Sequence, residues 1–143
     1  MMQTFELPEI AKLLNLNLAK AKNWTNGRTG LVIEPSIRKA SGTGSRNIYS
    51  LQDVHLMAVA QRFSTAGFAA KAIGRLVEVV KPMVQGPIKK DEVWTVWRVK
   101  PGGPFYVTVG KAKPDGVTLW HVFEVGTLLR AIDDAIRKLE SGK

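Results

Sequence analysis

Leu7, Ile10, Ala11, Leu13 and Leu14 recur at helical spacing, and Pro8 falls where a first helical turn tolerates proline, so residues 7–14 predict a short helix. Leu16, Leu18, Ala21 and Trp24 continue an apolar stripe into a second helix, leaving Ala19, Lys20, Lys22 and Asn23 to point outward. Asn17 suits the cap of that helix, since its side-chain oxygen can accept from a free first-turn amide. A turn cluster, Asn26-Gly27-Arg28-Thr29-Gly30, precedes a short β-branched run, Leu31-Val32-Ile33, that stops at Glu34-Pro35. Ser41-Gly42-Thr43-Gly44-Ser45 reads as the tip of a hairpin; it lacks the Gly-Lys-[Ser/Thr] ending of a phosphate-cradling loop.

From Leu51 to Ala66 the apolar positions Val54, Met57, Ala58 and Phe63 return to helical spacing, with Ser50 as N-cap and Asp53 at the positive end of the helix dipole. Gly67 ends this helix, Phe68 tucks back onto the core, and a further helix spans about Ala69 to Val80. Pro82 and Gly86-Pro87 then break the chain.

Past that break the period changes to two. Residues 93–99, 105–109 and 117–123 predict three strands separated by the turn signals Pro101-Gly102-Gly103-Pro104 and Lys113-Pro114-Asp115-Gly116. Val125, Leu128, Leu129, Ile132, Ile136 and Leu139 share one face of a final helix, with Asp133, Asp134, Arg137 and Lys138 opposite. The expectation is an α+β chain: a helical unit over 1–81, a linker at 82–88, and a three-stranded antiparallel meander with a covering helix over 89–143. Trp94 and Trp97 lie on opposite faces of their strand, so one packs inward and the other remains for an interface or ligand.

Composition narrows the function. With 143 residues, 45% of them hydrophobic, the chain can bury a sound core. No apolar run is long enough to span a membrane and Met1 to Glu6 lacks the pattern of a signal peptide, so a cytoplasmic location is expected. There is no cysteine, which rules out disulfides, thiolate metal sites and a cysteine nucleophile. His55 and His121 stand apart from any carboxylate-rich motif, so neither a metal nor another cofactor is expected. No spacing suggests a catalytic triad, and the chain does not read as an enzyme. The net charge is +9, and between residues 17 and 49 six basic side chains face only Glu34. That bias suggests a polyanionic partner.

Several spaced features of residues 5–77 together resemble the MerR-like winged helix-turn-helix family. Glu9-Ile10-Ala11 fits its first helix, Asn15-Leu16-Asn17 the turn, and Leu18 to Trp24 the second helix. Arg46-Asn47-Ile48-Tyr49, then Asp53 and Ala66-Gly67-Phe68, fit the end of the wing, its acidic residue and the following turn. The second helix carries Ala19 and Lys22-Asn23-Trp24 where the family usually has arginine and tyrosine, so the family's base preference does not carry over.

The resemblance implies binding to double-stranded DNA. On that reading Lys20, Lys22 and Asn23 enter the major groove, where lysine reaches guanine acceptors and asparagine can pair with adenine. Arg28, Arg38, Lys39 and Arg46 grip phosphates, with Asn17 and Tyr49 adding neutral contacts; packing of Tyr49 on the core is the competing role. Because the prolines interrupt the helix that leads to the family's usual dimer coil, the C-terminal unit is the expected route to a homodimer on two half-sites. Transcriptional regulation is the first expectation, with no effector indicated. Two others are an accessory DNA-binding protein of a phage or mobile element and, less favoured, a single-strand binder that stacks bases on Trp94, Trp97, Phe105 and Trp120.

Overall fold

Glu9 turns its carboxylate back to accept from the Glu6 backbone N–H at 3.0 Å, satisfying a free amide where helix α1 (Leu7–Leu13) begins. A computed structural model describes residues 3–26, 33–37 and 47–142. The chain within them is α+β. Asn15 adopts φ +52°, a left-handed conformation that asparagine tolerates, and so reverses the chain within a few residues. Helix α2 (Leu18–Asn26) follows at once and packs on α1.

Strand β1 (Thr4–Phe5) pairs antiparallel with β2 (Tyr49–Ser50), placing Phe5 opposite Tyr49. Ser50 then caps α3 (Leu51–Thr65), and Gly67, at φ +100°, ends the following turn. Phe68 folds back so that its N–H donates to the Phe63 carbonyl at 3.1 Å and its ring meets the Phe63 ring edge-on.

Helix α4 (Ala70–Gln85) runs through Pro82, where the sequence predicts a stop near Val80. The proline deprives only the Glu78 carbonyl of its donor, and both residues lie on the exposed face, where water can replace that bond. Val77, Val80 and Val84 stay buried on the other face and hold the last turns in place.

The C-terminal sheet comprises β3 (Trp94–Arg98), β4 (Tyr106–Val109) and β5 (Leu119–Phe123), all pairs antiparallel. Their order is β4-β3-β5, so the sheet is not the expected meander. Trp94 and Val96 of β3 are fully buried, which favours this strand at the centre, whereas β4 is largely exposed and suits an edge. Helix α5 (Val125–Ser141) packs Val125, Leu129 and Ile136 inward, while Leu139 at its end stays exposed. Asp133 keeps a partly exposed side chain, yet its carboxylate lies 2.7 Å from His55 Nε2 on α3.

The segments before and after residues 82–88 contribute to one continuous apolar cluster, from Phe5, Ile10 and Trp24 through Phe63 and Leu76 to Trp94, Phe123 and Leu129. Phe105, preceding β4, stacks its edge on Phe68, and Gln3 reaches Glu140 near the end of α5. Among the described residues no helix is long and apolar enough to cross a membrane.

Candidate nucleic-acid interface

Three contacts hold α2 and leave one of its faces open. At its start the Asn17 side-chain oxygen accepts from the Ala19 N–H at 2.8 Å, as the sequence predicts for an N-cap. Along its inner face Ala21 and Trp24 are buried against the core. At its end the Trp24 carbonyl accepts from the Ile33 N–H at 2.8 Å, tying the helix to the segment that returns from the loop. Gln61 of α3 donates to the Leu14 carbonyl at 2.8 Å, fixing the turn between α1 and α2 to the long helix beneath. Leu18 departs from its expected place on the buried stripe: it is exposed, because it projects about 120° around the helix from Trp24.

The open face carries Ala19, Lys20 and Lys22, all exposed, with Asn23 half-buried beside them. Lys20 does not extend freely. Its ammonium donates to Ser64 Oγ of α3 at 3.2 Å and stands 5.6 Å from the centre of the Trp24 ring. The cation is thus drawn back along the helix toward the body of the protein. Lys22 makes no such side-chain contact among the described residues; its backbone carbonyl accepts from the Thr25 hydroxyl.

Tyr49 is fully buried, pairing with Phe5 across β1 and β2. Burial pushes its phenol above the ordinary tyrosine value, against the opposing effect of hydrogen bonds with the side chains of Asn47 and Thr25; the nearby Asp53 charge adds to the rise. Of the two roles the sequence suggests for it, this position matches the packing anchor. A phenol so enclosed cannot touch a phosphate unless the strand pair opens.

Asp53 does more than favour a helix dipole. Its Oδ2 accepts from the Ser50 N–H at 2.9 Å while Ser50 Oγ accepts from the Asp53 N–H at 3.1 Å, a reciprocal cap. The same Oδ2 also accepts from the Ser36 N–H at 2.9 Å and the Ser36 hydroxyl at 2.7 Å. One buried carboxylate therefore clamps the 33–37 segment to the start of α3. The Ser50-Leu51-Gln52-Asp53 spacing carries the signal for the reciprocal cap, whereas nothing local indicates Ser36.

Arg28, Arg38, Lys39 and Arg46 lie outside the described residues, as do Leu31, Val32 and the 41–45 segment. The described residues on either side, Ile33 to Ile37 and Asn47 to Ser50, are brought together by the Asp53 clamp and by the Ile37 N–H donating to the Ile48 carbonyl at 3.2 Å.

On the C-terminal sheet the cross-strand register aligns Tyr106, Trp97 and Trp120 in one row. Trp97 and Tyr106 stack with ring centres 4.5 Å apart, and the Lys113 ammonium stands 5.8 Å from the Trp120 ring. Trp94, on the opposite face of β3, is fully buried and its indole N–H donates to Glu92. Phe105 is buried too, so two of the four aromatic groups that could stack bases belong to the core.

No family model matches this chain, and no curated protein does.

Proposed function

We propose that the chain is a double-stranded DNA-binding protein of MerR-like winged helix-turn-helix type that regulates transcription. The observation that carries this reading is α2 itself. It follows a tight turn, buries Ala21 and Trp24, and turns a small, basic face with no carboxylate on it toward solvent. A helix of that kind fits the major groove, where Lys22 and Asn23 reach base edges and Lys20 joins them once it leaves Ser64. On this reading the amino end of α2, capped by Asn17, approaches a phosphate, and Arg28, Arg38, Lys39 and Arg46 supply the remaining phosphate contacts.

Two copies would bind paired half-sites, since a single module of this size gains specificity by duplication. The row in which half-buried Trp97 lies between exposed Tyr106 and exposed Trp120 supports self-association through the sheet, because aromatic side chains are enriched at such interfaces.

Selection of bound fragments from random duplex DNA tests the reading. A palindromic consensus is expected, and Lys22→Ala or Asn23→Ala should cost roughly 1–3 kcal/mol on it with little effect on random sequence. Equal loss on both kinds of DNA would remove α2 from the groove.

A further inference from the structure

Between α3, β5 and the first turns of α5 lies a cleft of about 730 Å³ in which α2 takes no part. Phe63 and Phe123 form part of its floor, both buried, and half-buried Leu128 forms a wall. Exposed Arg62 and Lys111 stand at its lip with a single carboxylate, Glu124. Among the described residues neither Arg62 nor Lys111 has an ion-pair partner.

We infer that this cleft is a binding site for a small organic monoanion with a flat apolar body, an aromatic carboxylate of one or two rings. The volume falls within the range of about 300–1,000 Å³ that small-molecule sites occupy, and an apolar floor with a few polar groups at the rim is their usual lining. The floor requires a hydrocarbon or aromatic surface, since inorganic phosphate or sulfate would leave it wet. Two cations against one carboxylate select a negative head group, and the planar Arg62 guanidinium can grip a carboxylate with two parallel hydrogen bonds. An apolar surface beside the pair strengthens that attraction relative to open water. A cationic ligand would meet Arg62 and Lys111 as like charges.

Isothermal titration of the full chain with 2-naphthoate, its neutral isostere 2-naphthamide and inorganic phosphate tests the site without reference to DNA. The expected result is one 2-naphthoate per chain, with the amide weaker by about tenfold or more and phosphate weaker still, as the loss of a charge-assisted hydrogen bond or of the apolar contact implies. Arg62→Gln, an exposed change that leaves the core intact, should weaken 2-naphthoate by a similar factor. Leu128→Trp should block it by filling the cleft. Absence of binding at millimolar 2-naphthoate, equal binding of acid and amide, or an unchanged Arg62→Gln titration would each overturn the assignment.

Discussion

The rings of Phe63 in α3 and Phe123 in β5 meet edge to face with centres 5.0 Å apart, joining the helical half of the chain to its sheet. Both side chains are buried in the same apolar cluster, which also holds Trp24 on one side and Trp94 on the other. Loss of the Phe123 ring therefore loosens both halves. Phe123→Ala is predicted to cost about 3–5 kcal/mol. Urea unfolding followed by circular dichroism and by tryptophan fluorescence should give one coincident transition; two separate transitions would show that the halves are independent bodies.

Gly126 opens α5 directly against the 89–92 turn, and its N–H donates to the Glu92 carbonyl at 2.9 Å. A β-carbon there would stand 2.3 Å from the Lys89 carbonyl oxygen and 2.6 Å from that of Lys90, both backbone atoms with little freedom to yield. Gly126→Ala should destabilise the chain by about 3 kcal/mol or more, the upper range for overpacking. Gly142→Ala provides the contrast, since its nearest neighbour would be 3.4 Å away. Thermal melting of the two variants checks the difference, and similar melting temperatures would refute the clash.

Tyr49 links stability to alkaline pH. Because burial raises its phenol above the unfolded value of about 10, the folded chain holds this proton more tightly. Its stabilising contribution is complete below that value and is lost as pH rises through the folded one. In a Tyr106→Phe background, which leaves Tyr49 as the sole phenol, ultraviolet difference titration should show a midpoint above that of the urea-unfolded chain. Coincident midpoints would mean that Tyr49 is not enclosed as described.

Much of this architecture is legible in the sequence because its signals are local. The apolar period marks the helices, Ser50 marks the start of α3, and Gly67 marks its end. Signals that depend on distant partners are not legible in the same way. Asp53 meets Ser36 only after the chain has closed on itself, and His55 finds Asp133 from another helix. Strand order depends on which strand has the most to bury, so the turn signals that predict a meander do not reveal β3 at the centre. Pro82 is tolerated because Glu78 faces water, a fact of packing that no dipeptide rule contains. At the candidate interface the sequence identifies the outward residues of α2, but the retracted position of Lys20 depends on Ser64, which lies far away in the chain.

To reach a guanine, Lys20 must give up its bond to Ser64, a net cost of about 0.5–1.5 kcal/mol. Ser64→Ala should therefore strengthen binding to the preferred duplex by roughly 2- to 10-fold, and should do nothing in a Lys20→Ala background. Fluorescence anisotropy on the four proteins measures the coupling. Weaker binding by Ser64→Ala alone would mean that the serine orients Lys20 for contact instead of holding it back.

The central claim, that this basic chain binds duplex DNA through its phosphates, is tested most directly by the salt dependence of that binding. Anisotropy titrations of a labelled random-sequence duplex over a series of KCl concentrations give the observed association constant at each. If about four to six phosphates are neutralised per chain, the logarithm of that constant should fall linearly with the logarithm of salt, with a slope of about −3 to −6. A slope near zero, or no binding even at low salt, would contradict the account.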